Sequence, residues 1–97
     1  MALYISLYKL TEQGMKSIKD APGRYEKGVK AAEAMGGKVI AFYATMGEYD
    51  YVSIGEFPDD EVATTFLLAL GSLGNVKTTT MKAFSSDQFK KIVGKLP

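Results

Sequence analysis

The residues of this sequence that could do chemistry are its carboxylates, lysines and tyrosines, because the 97-residue chain contains no cysteine and no histidine. Histidine is the commonest general base near neutral pH, and histidine and cysteine are the usual ligands of transition metals. Any catalysis would therefore use Asp, Glu, Lys or Tyr side chains. We predict no metal site and no cofactor.

The segment 46–50, Met-Gly-Glu-Tyr-Asp, has the most distinctive local pattern for such chemistry. Gly47 can adopt a positive φ in a tight turn between two strands. Asp50 follows at the start of the next strand, where a buried carboxylate with few hydrogen-bond partners could act as an acid or a base. Asp50 is therefore the candidate catalytic residue. The alternative is a structural role, in which Asp50 ties down the hairpin or the loop near residues 20–24.

Tyrosines and one arginine complete the candidate ligand-binding set. A tyrosine hydroxyl is neutral near pH 7 and can donate a hydrogen bond to a carbonyl group. Arg24 is the only arginine, and it lies at the predicted start of a helix, where an anion can bind. The alternative for Arg24 is an ordinary surface position. The predicted ligand-binding residues are Gly47, Tyr49, Asp50, Tyr4, Tyr43, Tyr51 and Arg24.

Composition and charge argue against several classes of protein. Twelve basic residues against eleven acidic ones give a net charge of +1, and the lysines are scattered, whereas a nucleic-acid-binding surface gathers them into a patch. No apolar run approaches the ~20 residues of a membrane span. A chain of this length forms one domain, here residues 1–97. We expect a cytoplasmic protein with no nucleic-acid or membrane partner.

Hydrophobic periodicity and turn residues predict the order of strands and helices. Predicted strands cover residues 3–10, 39–46, 49–57 and 75–84. Predicted helices cover residues 11–19 and 24–35, a segment that opens at Asp59, and a C-terminal segment that opens with a capping box formed by Ser85 and Gln88. We expect the C-terminal helix to dock through an apolar stripe of Phe89, Ile92, Val93 and Leu96.

This order of elements is typical of an α+β ferredoxin-like βαββαβ fold. Such a fold has one four-stranded antiparallel sheet with helices on one face. The C-terminal helix is an addition to that pattern.

Alternation along the first strand predicts a sheet with two different faces. Leu3, Ile5 and Leu7 point to one side, and we expect the helices to cover this aliphatic side. The other side should carry Tyr4, Tyr8, Tyr49, Tyr51 and Phe57. Because tyrosine is enriched at protein interfaces, we predict a homodimer in which the aromatic faces of two sheets pack together. The alternative is a monomer with an aromatic, solvated face.

Several segments together resemble the GYD domain family. They are Thr11-Glu12-Gln13-Gly14, Gly37-Lys38, Ala41-Phe42-Tyr43, Met46-Gly47-Glu48-Tyr49-Asp50 and Leu70-Gly71-Ser72-Leu73-Gly74-Asn75-Val76. The motif that names the family reads here as Gly47, Tyr49 and Asp50, with Glu48 between the glycine and the tyrosine. The resemblance implies the fold of the dimeric α/β barrels and no characterised activity.

A second resemblance covers residues 47–84 and is to the effector-binding domain of leucine-responsive-type regulators. It is carried by the segment 47–51, by Asp60 and by the threonine-rich run 76–80. This resemblance implies that the hairpin helps to bind small amino acids between subunits.

More than one function is open at this point. The first hypothesis is a homo-oligomeric module that binds a small polar ligand or another protein without catalysis, because no nucleophile-base constellation is present. The alternative, implied by the resemblance to dimeric α/β barrels, is a small cofactor-independent isomerase, cyclase or monooxygenase with Asp50 as its base. A third is an oligomeric structural protein without a ligand site. Whether the chain is an enzyme stays open.

Overall fold

The computed structural model describes residues 1–97, with strands and helices in the predicted order. The strands are β1 (Ala2–Leu10), β2 (Lys38–Ala44), β3 (Tyr51–Phe57) and β4 (Val76–Ala83). The helices are α1 (Glu12–Lys16), α2 (Ala21–Ala34), α3 (Asp60–Ser72) and α4 (Ser86–Gly94), with a 3₁₀ turn at Ile18–Asp20. None of these helices combines the length and the apolar character needed to span a bilayer.

The strands form one antiparallel sheet in the order β2-β3-β1-β4. β1 lies inside the sheet, and Ile5 at its middle lies opposite Ile54 of β3 and Met81 of β4. β2 and β3 pair as the predicted hairpin. The ferredoxin-like α+β fold and the additional C-terminal helix are therefore confirmed.

Side-chain caps begin the helices at the predicted residues. Thr11 and Asp59 each accept a hydrogen bond from the backbone N–H three residues further on. Ser85 and Gln88 form the predicted capping box before α4. These caps are local interactions, and the sequence alone locates them.

The start of α2 differs from the prediction. α2 begins at Ala21, whereas the sequence analysis predicts its start at Arg24, after Pro22. Proline lies here in the first turn of the helix. Its missing N–H costs nothing there, because the first N–H groups of a helix have no partner within the helix.

The C-terminal end of β1 is joined to the loop between α3 and β4. The N–H of Thr11 donates to the carbonyl oxygen of Asn75 at 3.0 Å, and the Thr11 hydroxyl donates to the carbonyl oxygen of Gly74 at 2.6 Å. Gly14 packs so closely on Asn75 that a Cβ atom would collide with the Asn75 carbonyl oxygen. The family-like segments 11–14 and 70–76 therefore meet at this corner, where they stabilise the fold.

The helices cover the aromatic side of the sheet, so the predicted assignment of the two faces is wrong. Tyr4, Tyr8 and Phe57 are buried. Tyr4 and Phe57 form one cluster with Ala32 of α2 and Phe66 of α3. The aromatic rings are therefore part of the interior of the subunit and are not available to a second sheet.

The opposite side of the sheet, which we call the open face, carries no helix. The molecule is 18 Å thick, which matches one sheet and one layer of helices, since packed layers lie about 10 Å apart. Most side chains of the open face are aliphatic and partly or largely exposed, namely Leu3, Ile5, Leu7, Ala41, Val52, Ile54, Met81 and Ala83, and Tyr43 lies beside them. An aliphatic face of this extent is typical of an interaction surface.

Alternation along a strand separates two faces but does not identify the one that the helices cover. The right-handed crossover from β1 through α2 to the parallel strand β2 makes that choice. A β-bulge between Val39 and Ala41 also interrupts the alternation in β2. Neither feature can be read from the residue pattern.

The last helix lies away from the body of its own domain. Nine of the 97 residues are buried, and α4 contributes none of them. The side chains of its apolar stripe are between 43% and 68% exposed. The predicted docking stripe is therefore not covered by its own domain.

Candidate functional site

A cavity of about 960 Å³ lies between the covered face of the sheet and the two long helices α2 and α3. α2 leaves this space open because three of the residues on its inner side are small, namely Ala21, Gly28 and Ala32. A Cβ atom at Gly28 would meet no atom within 4 Å. The walls are mostly hydrophobic, and the volume is at the upper end of the ~300–1,000 Å³ of small-molecule sites.

The floor of the cavity presents hydroxyl groups in pairs. Tyr8 Oη lies 2.8 Å from Ser53 Oγ, and Ser6 Oγ lies 2.7 Å from Thr80 Oγ1. Two paired hydroxyls carry two protons and use one in their mutual hydrogen bond. Each pair therefore retains one donor and free lone pairs for a ligand.

Aromatic rings line one part of the wall. The ring of Tyr25 on α2 lies 4.4 Å from that of Phe42 on β2, measured between centroids. Phe42 lies 5.1 Å from Tyr51, and Tyr51 lies 6.2 Å from Tyr8. These tilted and edge-on rings offer a large apolar area, against which a flat or apolar part of a ligand can pack.

Tyr4 is held by a polar group at the margin of the cavity. Its hydroxyl donates to Asp60 Oδ1 at 2.5 Å, and Lys82 Nζ lies 3.1 Å from the same oxygen. Burial, then the hydrogen bond to Asp60 and the charges of Asp60 and Asp59, raises the pKa of Tyr4 to about 12. The bond from Tyr4, then Lys82, holds the pKa of Asp60 below its ordinary value. Tyr4 is therefore a hydrogen-bond donor, not a base, near neutral pH.

The raised pKa of Tyr4 predicts a loss of stability in alkaline solution. The unfolded chain releases this proton near pH 10 and the folded chain near pH 12, so the free energy of unfolding falls as the pH rises between these values. We expect Tyr4→Phe to remove this part of the fall. Urea unfolding across the same pH range should show that the free energy of unfolding of the variant depends less on pH. An equally steep pH dependence would contradict the raised pKa of Tyr4.

Arg24, a predicted anion-binding residue, lines the cavity and uses its guanidinium group to fix the segment before α2. Nη1 donates to the carbonyl oxygen of Ser17 at 2.9 Å and to its hydroxyl at 3.1 Å. Nη2 donates to the carbonyl oxygen of Gly14 at 3.3 Å. These bonds join α1 to α2, and a ligand role for Arg24 stays a prediction.

The hairpin at residues 47–50 is bound to the end of β1. Gly47 has the predicted positive φ, at +102°. The N–H of Asp50 donates to the carbonyl oxygen of Tyr8 at 2.8 Å, and Asp50 Oδ2 accepts the N–H of Leu10 at 2.8 Å. The carboxylate thus holds the hairpin against β1, which is the structural alternative for this residue.

Removing this carboxylate should destabilise the fold. A hydrogen bond to a charged acceptor contributes about 1.5–3 kcal/mol, so we expect Asp50→Ala to lower the free energy of unfolding by about 1–2 kcal/mol, measured by urea unfolding. Glu26→Ala, at an exposed position on α2, is the matched control and should change it by less than about 0.5 kcal/mol. Equal stability of Asp50→Ala and the unaltered chain would rule out the anchoring role.

The structure brings together some of the predicted ligand-binding residues and separates the others. Tyr4, Tyr51 and Arg24 line the cavity. Tyr43 lies on the open face, on the other side of the sheet. The hairpin residues are not part of the cavity wall: Gly47, Tyr49 and Asp50. No cluster of three or more His, Cys, Asp or Glu side chains could hold a metal ion.

The sequence analysis named only some of the residues that line the cavity, and Ser6, Ser53, Thr80 and Gly28 are among those that it did not name. Ser6 lies between the buried Tyr4 and Tyr8 on the same side of β1, which is a usable signal once the covered face is known. Gly28 lies four residues before Ala32, so the two share one side of α2. A stripe of small residues on a helix that faces a sheet is the signal for the space in front of it.

Solved structures with the same fold have low sequence identity to this chain. FFRP-DM1 has a TM-score of 0.58 and 19% identity, covering 87% of this chain and 100% of that chain. TTHA0845 from Thermus thermophilus has a TM-score of 0.57 and 22% identity, covering 89% of this chain and 96% of that chain. These likenesses show the fold alone.

A relative from Thermus thermophilus is 34% identical over 84 residues, which are 86% of this chain and 88% of that protein. It is named glutamine synthetase and cystathionine beta-lyase binding protein. The family model for the GYD domain matches residues 4–93, from β1 into α4. The match covers the segments that carry the resemblance in the sequence, and the chain therefore belongs to the GYD domain family.

Proposed function

We propose that this GYD domain is a homodimeric module that binds a small, mostly apolar molecule in the cavity of each subunit. The observation that carries the proposal is that the helices cover the face with hydroxyl groups and leave the aliphatic face of the sheet exposed. The face beneath the helices is lined by hydroxyl groups and borders a cavity, whereas the aliphatic face is uncovered. In a simple monomer the aliphatic face would be the one beneath the helices.

The dimer proposal follows from the open face. Ile5, Ile54 and Met81 lie side by side at its centre on neighbouring strands. Two such faces can pack with side chains interdigitated at the usual spacing of about 10 Å between sheets. Sedimentation at micromolar concentration should give twice the chain mass of 10.5 kDa, and a species of the single chain mass would contradict this part of the proposal.

The class of ligand follows from the walls and floor of the cavity. Apolar walls and the rings of Tyr25, Phe42 and Tyr51 favour an aliphatic or aromatic body. The hydroxyl pairs Tyr8–Ser53 and Ser6–Thr80 favour one hydroxyl or carbonyl group on that body. This class differs from the small polar ligand expected at the hairpin, which stays a separate prediction.

A thermal-shift screen tests the ligand class. We expect octanol and acetophenone to raise the melting temperature, and alanine and glutamine to leave it unchanged. Ligand at one hundred times its Kd adds about 2.7 kcal/mol of stability, which raises the melting temperature of a domain of this size by about 10–20 °C. A response to the amino acids alone would contradict the cavity proposal and favour the hairpin.

A second candidate function is the binding of metabolic enzymes, and the name of the 34% identical relative favours it. We expect this chain to bind glutamine synthetase or cystathionine beta-lyase, measured with each purified enzyme on a biosensor surface. Absence of binding to both enzymes at micromolar concentrations would contradict this candidate. Octanol added to the same measurement tests whether a ligand in the cavity controls the interaction.

The isomerase, cyclase or monooxygenase alternative stays a prediction. The cavity has no carboxylate among its lining residues, and Asp50, the expected base, lies outside it. The hydroxyl proton of Tyr4 is donated to Asp60. Turnover in the cavity would therefore need a base other than Asp50.

A further inference from the structure

The C-terminal arm, which we define as residues 84–96, carries an apolar surface that nothing in its own chain covers. α4 has Phe89, Ile92 and Val93 on one side, all exposed, and Lys90 and Lys91 on the other. Phe84, which connects the arm to β4, is 58% exposed. A helix of nine residues is only marginally stable in water unless its apolar face is packed.

This chain exposes more surface than a compact monomer of the same mass would. A compact monomer of 10.5 kDa exposes about 5,400 Å² by the usual scaling with mass, whereas this chain exposes 6801 Å². Its radius of gyration is 14.7 Å, against about 12.5 Å for a compact domain of this length. The excess of about 1,400 Å² exceeds the ~800 Å² that each partner of a stable complex buries.

The arm begins at the margin of the open face. Ala83, the last residue of β4, lies opposite Leu3 on that face, and β4 is an edge strand of the sheet. A second copy stacked on the open face would therefore lie beside Phe84 and the start of α4. The arm therefore begins next to the surface that a stacked copy would cover.

We propose that the arm packs on the second copy of this chain, so that each subunit of the dimer holds the other with its C-terminal helix. This inference rests on the proposed dimer and adds a second contact to it. The stripe of one arm would then contribute to the interface together with the open faces. The lysines on the other side of α4 would stay in solvent, which accounts for the amphipathic pattern of a helix that has no partner in its own subunit.

Two double variants of the same helix test the proposal by sedimentation equilibrium. We expect Phe89→Ser with Ile92→Ser to raise the dimer dissociation constant about 100-fold, because two apolar side chains leave the interface. Lys90→Ser with Lys91→Ser costs at least as much helix propensity, because lysine is a better helix former than phenylalanine or isoleucine, and should change it by less than about threefold. Because α4 is exposed in the single chain, neither change should disturb the fold, and thermal unfolding would verify this.

Hydrogen exchange gives a second readout. The amides of α4 should be protected above the dissociation constant of the dimer and exchange freely below it. Fast exchange of these amides in both states would overturn the proposal. An unchanged dissociation constant in the Phe89→Ser, Ile92→Ser variant would also overturn it, and the stripe would then be assigned to a contact with a different protein.

Ile5→Lys separates the two proposals, since it alters the open face alone. If Ile5→Lys gives monomers while the Phe89→Ser, Ile92→Ser variant stays dimeric, the sheet interface holds and the arm contact fails. If Ile5→Lys leaves the dimer intact while the Phe89→Ser, Ile92→Ser variant weakens the dimer, the arm contact holds and the sheet interface fails. A single-chain species for the unaltered protein would contradict both.

Discussion

Replacing Ile5 with lysine is expected to convert the dimer into monomers. Ile5 lies at the centre of the open face between Ile54 and Met81, where a second sheet would surround it with aliphatic groups. An ammonium group cannot enter such a surface without losing its hydration. We expect the dissociation constant to rise about a thousandfold or more, which sedimentation velocity at micromolar concentration would show as a change to the single-chain mass.

Leu68→Lys is the matched control for this change. Leu68 is an exposed leucine on α3, the helix side of the molecule, so the same kind of substitution there should leave the dimer intact. In Ile5→Lys the lysine of the separated subunit can reach water, because no helix covers this side, and the monomer should stay folded. A dimer that survives Ile5→Lys would place the subunit contact elsewhere on the chain.

Gly28→Leu is expected to stabilise the chain and abolish ligand binding at the same time. The space in front of Gly28 is empty within 4 Å of a Cβ atom, and this residue lines the cavity. A leucine there gains about 0.8–1 kcal/mol of helix propensity over glycine and buries apolar surface. It also fills the space that a ligand would use, so we expect the affinity for octanol or acetophenone to fall about 100-fold or more.

Gly23→Leu separates the two effects. Gly23 also lies in α2 with no atom within 4 Å of a Cβ position, but it is exposed and does not line the cavity. We expect it to leave ligand affinity unchanged while urea unfolding reports a comparable gain in helix propensity. A loss of affinity in both variants would contradict a site at Gly28, and lower stability in Gly28→Leu would show that the cavity cannot accept the side chain.

In α2, greater stability and ligand binding are expected to oppose each other. The small inner stripe of α2 makes poorer contact with the sheet than larger residues would. A domain selected only for stability would fill such a space, because closely packed cores are more stable. The opposite signs expected for stability and binding at Gly28 are what distinguish a ligand site from loose packing.

Much of the fold could be predicted because its determinants are local. Thr11, Asp59 and Ser85 cap the helices through bonds to residues three positions away, and such contacts need no other part of the chain. Alternation along β1 follows from the pleat of a strand. The order of elements then leaves the ferredoxin-like sheet as the topology that pairs β2 with β3 and keeps the crossovers right-handed.

The site could not be predicted in the same way, because its contacts join distant parts of the chain. Tyr8 meets Ser53 across 45 residues, and Asp50 meets Leu10 across 40. The sequence left open whether Asp50 acts as a base or ties down the hairpin, and in the structure the backbone N–H of Leu10 in β1 donates to one of its oxygens. Only the pairing of strands shows which polar groups are already engaged.

The order of the elements, their caps and the presence of two unlike faces on the sheet can be predicted from the sequence, since each depends on neighbours along the chain. Which face lies under the helices is visible only in the folded chain, and the locations of the cavity and of the exposed aliphatic surface follow from it. The handedness of the crossovers makes this choice. That property belongs to the path of the whole backbone, and the alternation of residues along a strand is the same for either hand.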